Sequence, residues 1–250
     1  MRLQNKTAVV TGAASGIGRA AALRLAQEGA RIYAVDIDET GLAGTAQPAR
    51  DAILTRRCDV ADEQQVRNAV ADAMEQLGRI DILVNIAGIQ ITKLLRDTTW
   101  ADFTRMMEIN MGGAFLFCRE VLPHMQAQKS GSVINLASEL AFVGYPKLAS
   151  YTATKGAMVA FTRSVALEAI RDGVRVNCVC PGATDTPIFW EGEADLARRK
   201  AMLDQVAAEK PNGRLITPEE VANGILFMAS DESSAVVGAS LIMDGGFTAM

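Results

Sequence analysis

Hydrophobic positions along the chain fall into short β-rich runs, separated by longer segments in which apolar residues recur at helical spacing. The short runs predict strands at residues 7–12, 31–36, 53–60, 80–88, 132–138, 174–182 and 239–246. The helical spacing predicts helices at 17–28, 99–128 and 151–170, and two more after the capping residues Asp62 and Thr217. Residues 41–50 show no clear period, and we expect a short, loose connection there.

Strands that alternate with helices predict right-handed βαβ units, and therefore an α/β fold with a doubly wound parallel sheet. The run at residues 80–88 is apolar almost throughout, which is typical of a parallel strand buried on both faces. The 250 residues contain no linker, repeat or low-complexity stretch, so we expect a single domain over residues 1–250.

The charge and the cysteine content of the chain exclude several classes of function. A net charge of −4 without a basic block argues against nucleic-acid binding, and no apolar run reaches the length of a membrane span. The N-terminal residues lack the features of a signal peptide, and we expect buried, reduced thiols in a cytoplasmic protein. The thiols belong to Cys58, Cys118, Cys178 and Cys180. With His124 as the only histidine, neither a metal site nor a histidine-based triad is expected.

A glycine-rich loop joins the first predicted strand to the first helix. In "TGAASGIGRA", Gly12, Gly16 and Gly18 permit a tight turn and let a pyrophosphate approach the positive end of the helix. The spacing GxxxGxG differs from the common GxGxxG pattern, so a purely structural role for these glycines stays open. Their position after the first strand favours a Rossmann-type fold that binds a dinucleotide.

Asp36 ends the second predicted strand, 18 residues after Gly18. A carboxylate at this point can accept hydrogen bonds from both hydroxyls of an adenosine ribose, and it repels a 2′-phosphate. Asp38 and Glu39 add to that repulsion, so NAD is favoured over NADP. The competing interpretation is that Asp36 caps a helix.

Tyr151 and Lys155 stand four residues apart in a predicted helix and therefore share one face. A free phenol has a pKa of about 10, and a nearby ammonium lowers that pKa toward the range of a general base. The structural alternative is a lysine whose stem simply lies along a half-buried tyrosine.

Short motifs occur in a fixed order from one end of the chain to the other. They are "TGAASGIG" at 11–18, "DV" at 59–60, "NIAG" at 85–88, Asn110 in "EIN", Ser138 in "NLAS", "YTATK" at 151–155, "PGATDT" at 181–186 and "MDGG" at 243–246. In order and separation these motifs resemble the short-chain dehydrogenase/reductase family over essentially the whole chain. Ile86 departs from the family's more frequent asparagine, and we expect little effect on catalysis because this position supports the central strand.

The resemblance implies a catalytic role for Asn110, Ser138, Tyr151 and Lys155. Tyr151 would exchange a proton with the substrate, Ser138 would bind the substrate oxygen, Lys155 would also bind the nicotinamide ribose, and Asn110 would hold a relay water. The resemblance and the loop together imply cofactor binding by Gly12, Ser15, Gly16, Ile17, Gly18, Asp36, Ile37, Asp59, Val60, Asn85, Ala87, Gly88, Tyr151, Lys155, Pro181, Gly182, Thr184 and Thr186.

The predicted function is an NAD-dependent oxidoreductase that interconverts a secondary alcohol and a ketone. The substrate is expected to be small: a hydroxy acid, a sugar or sugar acid, or a cyclic alcohol. One alternative is an NADPH-dependent 3-oxoacyl-carrier-protein-type ketoreductase, which Asp36 opposes. The other is a non-catalytic NAD-binding sensor, which has no need to keep Ser138, Tyr151 and Lys155 together.

Residues 187–211 are expected to form a lid over the substrate site. The apolar residues 188–190 indicate either a wall of the site or packing of the lid itself. The basic residues 198–200 are more typical of a solvated helix face than of a site for a substrate carboxylate.

The family resemblance also implies a homotetramer. The predicted helix that contains Tyr151 has a second apolar face, and we expect this face to lie at a subunit interface. The residues concerned are Met158, Val159, Phe161 and Thr162. The alternative is that they pack against the chain's own long helix near residues 103–127.

Overall fold

Seven parallel strands form the sheet of a computed structural model that describes residues 1–190 and 195–250. The strands are β1 (Thr7–Thr11), β2 (Arg31–Asp36), β3 (Ile53–Arg57), β4 (Ile82–Asn85), β5 (Gly131–Leu136), β6 (Val174–Pro181) and β7 (Ser240–Met243). Their order in the sheet is β3–β2–β1–β4–β5–β6–β7, so the connection changes direction between β1 and β4. The predicted single-domain, doubly wound Rossmann-type fold is confirmed.

Helices cover both faces of this sheet. They are α1 (Gly16–Gln27), α2 (Glu39–Ala46), α3 (Glu63–Leu77), α4 (Trp100–Met107), α5 (Gly113–Gln128), α6 (Ala149–Ala169), α7 (Pro187–Trp190), α8 (Leu196–Ala208) and α9 (Pro218–Ala229). None of the described helices is long and apolar enough to cross a membrane.

Two apolar clusters lie on opposite faces of the sheet, because successive side chains of a strand point in opposite directions. On β1, Val10 packs in the cluster that contains residues of α1 and α9, such as Ile225. Its neighbour Val9 packs in the cluster that contains residues of α3, α5 and α6, such as Phe117. Both faces of the central strand are therefore buried, as its apolar sequence predicts.

The connection after β2 is helical, so the prediction of a loose segment over residues 41–50 was wrong. Asp38 caps α2 by accepting a hydrogen bond from the Gly41 N–H, and a 3₁₀ turn follows the helix at Gln47–Ala49. Only Leu42 and Thr45 of α2 are buried. Two buried positions in one short helix are too few to produce a visible period in the sequence.

The helix predicted over residues 99–128 is interrupted. α4 and α5 are joined by the π-helical segment Glu108–Gly112, which contains the buried side chain of Asn110. Such segments occur frequently at functional sites, because the wider turn redirects the side chains around it.

The predicted caps at Asp62 and Thr217 are both present. Thr217 accepts a hydrogen bond from the Glu220 N–H, and the Glu220 side chain accepts one from the Thr217 N–H. Asp62 caps α3, but the Gln65 side chain reaches further back and accepts a hydrogen bond from the Asp59 N–H. The start of α3 is thereby tied to the loop after β3, which borders the site described below.

Candidate active site

A cavity of about 1080 Å³ opens at the carboxyl ends of the strands, around the point where the strand order changes direction. Ligands of open α/β sheets bind at this position. Eighteen of the twenty residues predicted to bind the cofactor or to take part in catalysis line this cavity; Asn85 and Asn110 do not.

The glycine loop between β1 and α1 fits a pyrophosphate because it leaves no room for side chains. A Cβ atom on Gly12 would lie 2.8 Å from the Ala87 nitrogen, and its φ of +69° favours glycine. A Cβ atom on Gly18 would overlap the Gly12 carbonyl oxygen. Among the described residues, Ser15 makes no side-chain capping bond, so the first N–H groups of α1 remain available to an anion.

Asp36 stands beside this loop and fits the hydroxyls of a ribose. Its Oδ2 accepts a hydrogen bond from the Ala14 N–H at 3.0 Å, and its Oδ1 accepts one from the Asp38 N–H at 3.1 Å. A carboxylate can accept about four hydrogen bonds, so each oxygen keeps further capacity. Asp38 rather than Asp36 caps the following helix, which removes the competing interpretation of Asp36.

The position of the loop is also held by Arg19, whose importance the sequence did not indicate. Its Nε donates to Thr45 Oγ1 at 3.1 Å, and its Nη2 donates to the Ala14 carbonyl. Thr45 in turn donates to the Ala13 carbonyl at 2.8 Å. These bonds connect the glycine loop to α2.

Ala87 and Gly88 line the cavity after β4, whereas Asn85 lies below it in the sheet. The Asn85 Nδ2 donates to Asn135 Oδ1 at 2.8 Å, so its side chain joins β4 to β5. Thr11 Oγ1 accepts a hydrogen bond from the Ala87 N–H at 3.2 Å. These two contacts hold the central strands together beneath the nucleotide position.

Asp59 and Val60, which the family resemblance places beside the adenine, line the cavity after β3. Asp59 Oδ1 accepts a hydrogen bond from the Ala61 N–H at 2.9 Å, and its Oδ2 lies 3.7 Å from the Arg105 guanidinium.

Asn110 is buried behind the cavity, and protein partners use both of its N–H donors and one acceptor position of its amide oxygen. Its Oδ1 accepts from the Ile89 N–H at 2.8 Å, while its Nδ2 donates to the Ile89 carbonyl at 2.9 Å and to Thr154 Oγ1 at 3.1 Å. The side chain therefore fixes the loop after β4 against α6. Sequence reasoning found this residue but did not predict these contacts.

Ser138, Tyr151 and Lys155 meet at the other end of the cavity. Lys155 Nζ donates to the Leu136 carbonyl at 2.8 Å and lies 5.6 Å from the centroid of the Tyr151 ring. Ser138 lies two residues after the end of β5, and its side chain is close enough to the Tyr151 phenol to act on the pKa of that phenol. The shared helical face predicted for Tyr151 and Lys155 is thus present.

Burial dominates the acid–base properties of this cluster. Desolvation raises the pKa of Tyr151 above its ordinary value, although the hydrogen bond with Ser138 acts in the opposite direction. Desolvation also lowers the pKa of Lys155 to about 8. The sequence predicted a lowered phenol pKa from the ammonium. In the protein without cofactor the pKa of Tyr151 is raised instead, because the loss of hydration outweighs the hydrogen bond with Ser138.

The segment after β6 forms the third wall. Pro181, Gly182, Thr184 and Thr186 all line the cavity. Thr184 Oγ1 donates to the Gly182 carbonyl at 2.9 Å, and Thr186 Oγ1 donates to the Thr184 carbonyl at 3.2 Å. These bonds fold the segment over the site.

The segment predicted as a lid contributes to the wall of the substrate end. From it, the cavity is lined by Pro187, Ile188, Phe189, Met202, Val206 and Lys210. The basic residues 198–200 do not line it and pair with acids instead: Arg198 with Asp195, Arg199 with Asp185, and Lys200 with Asp204. Residues 191–194 and the side chain of Trp190 lie outside the described part of the chain.

Two charged residues of this wall, Glu139 and Lys210, were not found from the sequence. They are 71 residues apart and form a buried ion pair. No periodicity or motif connects positions at this separation. The only available signal was that Glu139 directly follows Ser138.

A Rossmann-type sheet, a glycine loop and a Ser–Tyr–Lys cluster that open into one cavity define a nicotinamide-dependent oxidoreductase. A family model described as enoyl-(acyl carrier protein) reductase matches residues 12–248. The chain belongs to the short-chain dehydrogenase/reductase family.

Similar proteins have dehydrogenase and reductase names. The chain is 43% identical to the cis-4-hydroxycyclohexanecarboxylate dehydrogenase of Sinomonas cyclohexanicum, over 98% of this chain and 97% of the relative. It is 40% identical to the 2-(R)-hydroxypropyl-CoM dehydrogenase of Xanthobacter autotrophicus, over 98% and 100%. The crystal structure of levodione reductase superimposes with a TM-score of 0.93 at 36% identity, over 99% of each chain. The protein is accordingly an oxidoreductase that acts on CH–OH groups and uses a nicotinamide cofactor.

Proposed function

We propose that the protein is an NAD-dependent dehydrogenase that interconverts a secondary alcohol and a ketone on a small substrate. The observation that carries the proposal is the meeting of the glycine loop with Ser138, Tyr151 and Lys155 in one cavity. A sensor has no need of this cluster beside its nucleotide site.

The roles follow from the positions of the side chains. Tyr151 accepts the hydroxyl proton during oxidation and returns it during reduction, while Ser138 donates a hydrogen bond to the substrate oxygen. Lys155 is held in place by the Leu136 carbonyl, which leaves two of its three N–H donors for Tyr151 and for a cofactor ribose. The bound cofactor supplies the nicotinamide carbon that exchanges a hydride with the substrate.

Asn110 acts at a distance from the reacting atoms. Because its three hydrogen bonds hold Ile89 and Thr154, it positions the loop after β4 and the helix that carries Tyr151. Both N–H donors of the Asn110 amide are used within the protein, so we propose that a relay water is bound through the backbone that Asn110 holds rather than through these donors.

The preference for NAD is supported by Asp36 and its surroundings. The carboxylate keeps acceptor capacity for two ribose hydroxyls, and no basic side chain follows it, since Ile37 occupies the next position. A 2′-phosphate about 4 Å from the carboxylate would meet a repulsion of about 4 kcal/mol per unit charge near a protein surface.

The substrate is proposed to be small and partly apolar. The cavity wall beyond Tyr151 includes Leu140, Phe189, Met202 and Val206. The names of two relatives denote alcohols with a secondary carbon on a short or cyclic skeleton, which supports the same class for this chain. Hydroxy acids, sugar acids and cyclic alcohols all fit this description.

The assembly is proposed to be a homotetramer in the cytoplasm, but not through the apolar face predicted from the sequence. Met158, Val159 and Thr162 are buried within the subunit, so the expectation was wrong for these three residues, whereas Phe161 is half-buried. Other apolar residues of α5 and α6 are open to solvent: Phe115 is 44% exposed and Leu167 is 75% exposed. Light scattering that gives four times 26.7 kDa supports the tetramer, and a monomer mass refutes it. The four buried, free thiols support a reducing compartment.

Steady-state kinetics with NAD and NADP across secondary alcohols, hydroxy acids, sugar acids and cyclic alcohols tests the function. We expect NAD-dependent turnover on at least one class and an efficiency with NADP at least about tenfold lower, from the repulsion at Asp36. Equal efficiency with the two cofactors refutes the NAD preference. Tight NAD binding without turnover on any class refutes the enzyme and favours the sensor.

A further inference from the structure

The substrate end of the cavity contains a buried ion pair that the proposed chemistry does not use. Lys210 Nζ lies 2.6 Å from Glu139 Oε1, and each side chain is only 5% exposed. Glu139 directly follows Ser138, and Lys210 comes two residues after the end of α8. The pair therefore connects the lid to the loop that carries the serine.

Two neighbouring contacts strengthen this connection. The Tyr145 hydroxyl donates a hydrogen bond to Glu209 Oε2 at 2.7 Å, so adjacent lid residues hold the same loop. Lys210 Nζ also lies 3.6 Å from the centroid of the Phe247 ring, where a cation–π interaction compensates part of its lost hydration.

Stability alone does not explain this pair. Two buried charges are often less stabilising than apolar side chains of the same volume, because desolvation opposes their attraction. The second oxygen of Glu139, Oε2, has no hydrogen-bond partner among the described residues. It faces Gly182, on which a Cβ atom would approach this oxygen to 2.8 Å. A carboxylate left half-satisfied beside a catalytic serine indicates that its charge matters to the site.

We propose that Glu139 and Lys210 are a positioning pair whose opposite charges cancel at Tyr151, so that the docked lid sets the pH at which Tyr151 exchanges its proton. The proposal rests on the proposed role of Tyr151 as acid and base. It assigns no contact with substrate or cofactor to either member of the pair.

The electrostatic surroundings agree with this role. Several charged or titratable groups surround the pair and the catalytic cluster. Lys210 and Asp244 act on Glu139, Glu139 and Glu209 act on Tyr145, and Cys178 and Cys180 act on Lys155. Among them, the charge of Glu139 raises the pKa of Tyr151. Burial raises the pKa of Glu139, and Lys210 opposes that shift by stabilising the carboxylate.

The test is a double-substitution cycle read through the pH dependence of oxidation. Because oxidation needs deprotonated Tyr151, its rate rises with pH through the pKa of Tyr151. Lys210→Met removes a positive charge and moves this rise to higher pH by about one unit. At any pH below the midpoint, turnover is then about tenfold lower than in wild type. Glu139→Gln removes the negative charge and moves the rise to lower pH. The double variant Glu139→Gln/Lys210→Met returns it to the wild-type pH.

Lys200→Met is the matched control, since Lys200 is an exposed lid lysine that pairs with Asp204. It should leave the midpoint in place. A purely structural pair would lower turnover in the single variants without opposite shifts in pH, and that result overturns the proposal. If Lys210→Met does not fold, the proposal is tested by Glu139→Gln alone, whose midpoint pH should be lower than that of wild type. If Tyr151→Phe is inactive but the Glu139 and Lys210 variants show no shift in midpoint pH, only the role of the ion pair is refuted. If Tyr151→Phe is active, the role of Tyr151 as acid and base and the role of the ion pair are both refuted.

Discussion

The two ends of the cavity are built in different ways. The nucleotide end is built around the backbone of the glycine loop and one carboxylate, Asp36, within residues 12–36, and Asp59, Val60, Ala87 and Gly88 lie beside them. The substrate end consists of side chains from distant segments, among them Ser138, Tyr151 and Lys210. The first end is set by what the backbone leaves room for, so it suits a cofactor shared by many enzymes. The second is set by buried charges and a lid, where single side chains decide chemistry and specificity.

The largest effect is expected from a substitution at the substrate end of the cavity. Tyr151→Phe removes one oxygen and should lower kcat about 10³-fold, within the range typical of general acid–base catalysis, while the affinity for the cofactor changes little. Tyr145→Phe, in the same cavity, should retain at least about a tenth of the activity, because its hydroxyl contacts only the lid at Glu209. Turnover and cofactor binding measured on the same preparations check both expectations, and comparable losses in the two variants would contradict them.

The second prediction concerns the buried ammonium at the boundary between the ends. In the folded cofactor-free protein the pKa of Lys155 is lowered from 10.5 to about 8 by burial. Between these values the unfolded chain binds the proton and the folded chain does not, so stability rises with pH. The cost of the buried charge is fully present below pH 8 and is gone above the unfolded pKa.

Urea unfolding at a series of pH values, compared between wild type and Lys155→Met, measures this contribution. From pH 8 to 10.5 the stability of wild type relative to the variant should increase by up to about 3 kcal/mol. Lys200→Met, which removes an exposed lysine, should give no such slope. A decrease with pH for Lys155 would contradict the assignment.

A third change disrupts the nucleotide end through its backbone. Gly18→Ala places a methyl group on the Gly12 carbonyl oxygen, so we expect a loss of about 1–3 kcal/mol of stability and weakened cofactor binding. Gly44→Ala in α2 is the control, since the closest atom to its added Cβ lies 3.8 Å away. That variant should be as stable as wild type or about 0.5–1 kcal/mol more stable. Thermal unfolding and cofactor titration compare the two, and equal behaviour would show that the close packing of the loop is unimportant.

The smallest effect is expected from a substitution of Asp36, which should change the cofactor preference but not the catalytic step. Asp36→Ala should weaken NAD about tenfold by removing two charge-assisted hydrogen bonds, and should improve NADP by relieving repulsion. The ratio of kcat/KM for the two cofactors measures both changes. An unchanged ratio would mean that Asp36 serves only the Ala14 and Asp38 N–H groups it already binds.

The same division explains what the sequence could predict. The strands, the glycine loop and the cap at Thr217 depend on neighbouring residues, so local patterns were sufficient. The sequence pattern did not predict α2, because only Leu42 and Thr45 of this helix are buried. The Glu139–Lys210 pair escaped notice because it exists only once the lid is folded over the serine loop. The expectation of an apolar face at the subunit interface was wrong for Met158, Val159 and Thr162, which are buried within the subunit. Met158 and Val159 pack against β6, and the sequence pattern does not distinguish such packing from an interface.

The central claim is that the cofactor at the nucleotide end changes the ionisation of Tyr151 at the substrate end. The pH at which Tyr151 ionises, measured with and without NAD, tests it directly. The chain has 3 tyrosines, so ultraviolet difference titrations of wild type against Tyr151→Phe isolate one phenol. Without cofactor, burial should keep Tyr151 protonated well above its ordinary pKa of 10. With NAD bound, a phenolate signal that is absent from Tyr151→Phe should appear at a clearly lower pH, because the positive nicotinamide ring favours the phenolate. An identical midpoint with and without NAD would contradict the proposal that the nucleotide end prepares Tyr151 for proton transfer.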